Sequence, residues 1–277
     1  MIRLGKTLCF AAFGLLISLG TSAEVEPLKI LLINGGCCHD YPLQGPVIKG
    51  VVEERLNAVV TIASSPCKKT DARFEVYEND NWAKGYDLNI HNECTANVTD
   101  PDYVNRILEA HRSGVPAVNI HCAMHSYRWG KFKEPITLGE DTAHWFEMIG
   151  IQSSGHGPKL PIRVTYHQDV NHPITKDLKD WVTPTGELYN NIQIFDSAIA
   201  LATGSQTLKD GRTAEAVIVW TNLYGPNKTR IFSASIGHSS EEVADDNFAD
   251  LLVQGILWSV SKLDDEGKAT EGFLAKH

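Results

Sequence analysis

The run Leu28-Lys29-Ile30-Leu31-Leu32-Ile33 is almost continuously apolar, the pattern of a strand covered on both faces rather than one with a solvent side. It ends in Asn34-Gly35-Gly36, then Cys37-Cys38-His39-Asp40-Tyr41. From about Leu43 to Leu56 the spacing turns helical, with Val47, Val51, Val52 and Leu56 on one face and Pro46 fitted to the first turn. Asn57 to Ala63 reads as a second strand and Tyr86 to His91 as a third. Pro101 opens another helix, with Asp100 as N-cap, Tyr103, Val104, Ile107 and Leu108 inward and Gly114 at its stop. Val115 to Ile120 is then a fourth strand. Strands and helices in this order, with short connections, predict an α/β, doubly wound, mostly parallel sheet.

The second half is less regular. Ile162 to Tyr166 and Ser197 to Ala202 read as strands, and Ala216 to Thr221 with Arg230 to Ile236 as a pair. A closing helix is expected from about Asp245 to Ser261, and the tail from Asp264 onward is expected to fray. Glu187 falls in a segment without clear periodicity, which reads as loop.

The N-terminus changes how the rest is read. Arg3 and Lys6 precede an apolar run from Leu8 to Leu19, and Thr21-Ser22-Ala23 supplies small residues for cleavage. That pattern predicts a signal peptide over 1–23 and a periplasmic or secreted protein. The expected layout is one domain over 24–263 and a tail over 264–277. Of the 277 residues, 25 are basic and 34 acidic, a formal charge of -9. Losing Arg3 and Lys6 but no acid makes it -11. So acidic a chain, without a basic stripe, is a poor partner for nucleic acid, and no later stretch suits a membrane span. The sequence leaves the oligomeric state open.

Six cysteines become five without Cys9, so at least one thiol is expected to stay free. Cys67 has Cys37, Cys38 and Cys94 as equally acceptable partners. Cys122 is expected to be a buried inert thiol, with a thiol hydrolase built on it as the minority reading.

Histidine recurs at predicted strand ends and turns: His39, His121, His125, His156, His172 and His238. Neutral imidazole binds zinc or similar divalent metals and also serves as acid or base near neutral pH. Glu187 is the strongest acid candidate, as metal ligand or general base. Asp40 is expected to orient His39, and Tyr189 to offer its hydroxyl to a bound ligand, an ordinary amphipathic rim tyrosine being the equal alternative. Trp82, Trp129, Trp145, Trp220 and Tyr224 are candidate stacking faces. Taken singly, each histidine is more often a loop cap than a ligand, and Glu187 is as readily an N-cap or salt-bridge partner.

The order of motifs resembles the ThuA-like (trehalose-utilisation) family: Gly35-Gly36 with His39-Asp40, His121-Cys122-Ala123, Gly155-His156, His172-Pro173-Ile174, Glu187-Leu188-Tyr189, Trp220-Thr221 with Tyr224-Gly225, and Gly237-His238. The resemblance runs from about Leu28 to Leu263. Two departures stand out: Gly186 where the family often has Asp, and a loop rich in cysteine. The resemblance implies a flavodoxin-like fold similar to class I glutamine amidotransferases. There the nucleophilic cysteine sits on a turn after a central strand, a place held here by His121, so glutaminase chemistry is not expected. It further implies a small-molecule carbohydrate as ligand, with trehalose-type disaccharides or their 3-keto derivatives as substrates of a lyase or hydrolase. His121, Glu187 and His238 would be catalytic. His39, Asp40, His125, His156, Tyr189, Trp220 and Tyr224 would bind substrate. His39, His121 and His238 would hold a divalent metal, with no nucleotide cofactor. A binding protein that kept the pocket and lost catalysis is the alternative.

Overall fold

The computed structural model describes residues 25–276. The expected signal peptide lies outside these residues. Nine strands form one sheet in the order β2-β1-β3-β4-β9-β8-β7-β5-β6. Strands β1 (Leu28–Gly36), β2 (Ala58–Ser64), β3 (Leu88–Cys94), β4 (Ala117–Ile120) and β9 (Thr229–Ala234) run parallel. Their order, 2-1-3-4 with a fifth strand beside β4, is that of flavodoxin-like folds. The other half, β8 (Thr213–Tyr224), β7 (Ala198–Thr207), β5 (Ile151–Tyr166) and β6 (Trp181–Ile194), is antiparallel.

Helices cover both faces, which explains the unbroken apolar run of β1. Ile30 and Leu32 pack with Ile48 and Val52 of α1 (Tyr41–Arg55) and with Leu252 and Ile256 of the closing helix (Asp246–Ser259). Leu31 and Ile33 face the opposite way, into the core shared with Tyr103, Val104 and Ile107 of α2 (Pro101–Arg112) and Phe146 of α3 (His144–Ile149). The Asp100 carboxylate accepts hydrogen bonds from the backbone N–H groups of Asp102 and Tyr103, the expected cap.

Four details differ from the sequence expectations. Helix α1 begins at Tyr41, so Pro42 occupies its first turn and Pro46 lies inside. Glu187 sits within β6, not in a loop. The tail is packed: Phe273 is buried, Asn57 Nδ2 donates to the Gly272 carbonyl, and Ala275 N–H donates to that of Arg55. Cys122 is not a free thiol but is bonded to Cys94; Cys37 is bonded to Cys38, and among the described residues Cys67 is the free cysteine. Among the described residues no helix is long and apolar enough to cross a membrane.

Candidate functional site

Carboxyl ends of three strands in the parallel half of the sheet bring the histidines together. His39 follows β1, His121 follows β4, and His238 follows β9. Such ends are the usual ligand sites of doubly wound sheets. His121 opens a short 3-10 turn, His121–His125, with φ of 43°, a backbone conformation that few non-glycine residues adopt. Gly237, with φ of 103°, leads into His238; a Cβ there would stand 2.9 Å from Ile120 Cγ2. Glycine is required at that approach.

Glu187 arrives from the far side of the sheet. Strands β5 and β6 pair through four register shifts, which bend a ribbon sharply. The pairing sets His156 opposite Tyr189 and Lys159 opposite Glu187. Glu187 Oε2 lies 3.4 Å from His238 Nδ1, 3.6 Å from His121 Nε2 and 3.7 Å from His156 Nδ1. Lys159 Nζ is 3.9 Å from its other oxygen. The Nδ1 of His238 is 3.3 Å from His121 Nε2.

Hydrogen bonds fix the tautomers. His121 Nδ1 is 2.8 Å from the Ser235 carbonyl, which can only accept, so a neutral His121 carries its lone pair on Nε2. His39 Nδ1 donates likewise to the His238 carbonyl at 3.1 Å, leaving its own Nε2 as acceptor. Burial, then the neighbouring imidazoles, push His39 down to about 3. Burial also lowers His121, against the opposing pull of Glu187. For Glu187, burial acts upward, but hydrogen bonding to His121 and His238 and their charges outweigh it, holding the carboxyl below its usual range. Burial thus favours the neutral imidazole at His39 and His121, beside a carboxylate held ionised.

That donor set suits a divalent cation. One ring nitrogen from each of His39, His121 and His238 lies within 4.8 Å of the others, and Glu187 supplies an anionic oxygen beside two of them. Three imidazoles with a carboxylate is a common zinc-type ligand set.

Beside this cluster runs a wall of stacked rings. His125 lies flat on Tyr189, centroids 4.0 Å apart and planes 1° apart, and its Nε2 bonds Ser153 Oγ at 2.8 Å. Tyr189 also touches His121 at 4.6 Å and stacks with His156 at 5.9 Å. On the other side opens a cavity of about 630 Å³ whose lining includes Gly36, Cys38, His39, Asp40, Lys68 and His238.

Not every candidate joins the site. Asp40 lines the cavity, while the orientation of His39 is set by the bond of its Nδ1 to the His238 carbonyl. Trp220 is fully buried, its indole N–H donating to the Ile149 carbonyl, and Tyr224 is buried in the same core. Trp82 and Trp145 are core residues too. His172 packs against Trp258, in the other core.

Two supporting residues escaped the sequence reading. Gln44 Nε2 donates to the His238 carbonyl at 3.0 Å. Glu242, fully buried, accepts the His238 N–H at 2.7 Å, while Ser239 Oγ accepts the Glu242 N–H. Ser239-x-x-Glu242 is a capping-box pattern that was legible. Burial, against several backbone hydrogen bonds, raises the Glu242 carboxyl to about 7. A Cβ on Gly186 would lie 3.2 Å from its Oε1.

The family described as ThuA, trehalose utilisation, matches residues 29–259. Among solved structures, a ThuA-like protein of Parabacteroides merdae is similar at TM-score 0.63 and 20% identity, covering 89% of this chain and 92% of its own. One of Bacteroides uniformis follows at 0.60 and 18%, covering 90% and 98%. The GH42 β-galactosidase Gan42B of G. stearothermophilus is similar at 0.51 and 14%, over 85% of this chain and 30% of that enzyme. At these identities the likeness is one of fold. No curated protein matches.

Proposed function

The chain belongs to the ThuA, trehalose-utilisation, family, and from that premise we propose that it is an exported carbohydrate-active enzyme. Its reaction is a lyase or hydrolase step on trehalose-type disaccharides or their 3-keto derivatives. The observation that carries this reading is the Glu187 carboxylate ringed by His121, His238 and His156 within 3.7 Å. A general base needs such a carboxylate beside groups able to take and return its proton.

His39, His121 and His238 would hold a divalent metal, which when bound would polarise a carbonyl or acidify water. Glu187 takes a proton from the attacking water, or from the carbon next to a 3-keto group. In a metal-free site His238, whose Nδ1 faces both Glu187 and His121, would instead pass that proton on. Ser235 and the turn at His121 hold the imidazole in one tautomer throughout. Tyr189 and His125 are buried and back the exposed His156 ring, which offers its face to a sugar ring while Lys159 at the rim offers hydrogen bonds to hydroxyls. The N-terminal pattern and the two disulfides support export.

A binding protein without catalysis is the competing reading, and Gly186 is its main support. The Glu242 carboxylate, next to where a side chain at 186 would begin, keeps an acid in that place and favours catalysis. The test is turnover of oxidised and unoxidised disaccharides by the purified, metal-supplemented protein. Cleavage abolished by His121→Ala supports the enzyme; binding without turnover of any of these sugars supports the alternative.

A further inference from the structure

Four cysteines gather beneath the histidines, and their arrangement is graded. Cys38 is exposed and lines the cavity, while Cys37, Cys94 and Cys122 are buried together with Tyr41. The two disulfides, Cys37–Cys38 and Cys94–Cys122, are not independent, because Cys37 Sγ lies 3.6 Å from Cys94 Sγ. The backbone holds that contact: Gly36 pairs with Cys94, and the Cys37 N–H donates to the Cys94 carbonyl at 3.0 Å. A Cβ on Gly36 would stand 2.2 Å from that carbonyl oxygen, so glycine lets the two strand ends close together.

We propose that these four cysteines form a thiol–disulfide relay that carries two electrons from a dithiol in the cavity to the buried bridge beneath His121. A thiolate of the dithiol attacks Cys38 Sγ, the only exposed sulfur of the four. The Cys37–Cys38 bond breaks and Cys37 leaves as thiolate. Cys37 then attacks Cys94 Sγ, the Cys94–Cys122 bond breaks, and Cys122 leaves as thiolate. The second thiol of the dithiol attacks its own sulfur in the mixed disulfide and releases Cys38. The dithiol is oxidised to its disulfide, and its two protons end on Cys38 and Cys122. One protein disulfide is consumed, and the other is replaced by a Cys37–Cys94 bridge.

The exchange cuts the bridge between the end of β3 and the turn that carries His121, so it makes that turn responsive to thiols. It does not depend on the sugar chemistry proposed above.

Peptide mapping of the full-length protein tests it. Native protein is first alkylated to block Cys67, treated with one equivalent of dithiothreitol, quenched with acid, denatured and alkylated with a second reagent. The expected result is second label on Cys38 and Cys122 with Cys37 linked to Cys94. Label on Cys37 and Cys38 with Cys94–Cys122 intact overturns the relay, as does the reverse pattern, no reaction, or four free thiols at the outset. In Cys37→Ser the Cys94–Cys122 bridge should form but open about tenfold more slowly or worse under the same dithiol; an unchanged rate also overturns it.

Discussion

His121 and Glu187 come from opposite halves of the sheet and stand 3.6 Å apart, Nε2 to Oε2. With the Nδ1 proton of a neutral His121 committed to Ser235, both facing atoms are acceptors. Something positive belongs between them: the proton of His238 Nδ1, 3.3 Å away, or a metal ion.

The metal is therefore the first prediction. The protein should bind one zinc-type ion per chain, and His121→Ala should weaken binding roughly 100-fold or more, since losing a ligand costs at least as much as losing its outer partner. Competition with a chromophoric chelator measures both. Equal affinity in the variant would remove His121 from the ligand set.

Glu187→Gln separates the roles of charge and shape. The amide keeps the volume within β6 but cannot accept a proton as a base. Turnover should fall about 10²- to 10⁴-fold, with KM changed only a few-fold and an unaltered circular dichroism spectrum. Retention of wild-type kcat would sink the assignment of Glu187 as base.

What the sequence revealed depended on the range of the interactions. Strand β1 and helix α2 were readable because burial on one or two faces writes a local period, and Asp100 caps its own helix. The convergence of His39, His121 and His238 was partly readable, since strand ends of a doubly wound sheet share one edge. Glu187 was not, because Pro184, Gly186 and the register shifts of the β5–β6 ribbon break the alternation that would mark a strand. Its meeting with His121 depends on how that ribbon bends. Trp220 was misjudged for another reason: residue type suggests a stacking face, but its place along β8 turns it into the core.

The tail was also illegible locally, and its packing gives a third prediction. Leu274 bridges to Leu56, Asn57 holds Phe273 and Gly272 by hydrogen bonds, and Glu266 pairs with Lys176. Ending the chain after Leu263 exposes Phe273's site and strips partners from Asn57. Burial of one such aromatic contributes about 1.5–3 kcal/mol, so the urea midpoint should fall by a corresponding margin. A truncated protein with the full-length midpoint would show that the tail adds nothing.

Gly186 tests the role of Glu242. The buried Glu242 carboxyl leaves Oε1 without a hydrogen-bond partner, and an Asp at 186 would start 3.2 Å from it. Gly186→Asp should cost about 1–3 kcal/mol through crowding and like charge. Adding Glu242→Gln should recover part of that loss, a coupling readable in a double-mutant cycle of unfolding free energies. Strict additivity would mean the two side chains do not meet.

His172 provides a pH dependence remote from the site. Its Nδ1 accepts the Ile174 N–H at 3.3 Å, and its ring lies 5.3 Å from Trp258, over which the Arg230 guanidinium sits at 5.1 Å. Burial, then the Arg230 charge, lower its pKa from 6.5 to about 4. As pH falls through 6.5 the unfolded chain takes up the proton first, so stability is complete above that value and drains away towards about pH 4. The slope is at most about 1.4 kcal/mol per pH unit for one such group. His172→Asn retains an acceptor for Ile174 but does not titrate. Urea unfolding between pH 7.5 and 4.5 should therefore show a shallower loss in the variant, with the two proteins diverging most in relative stability near pH 4.5. Parallel curves would mean that His172 takes up its proton as easily in the folded protein as in the unfolded chain.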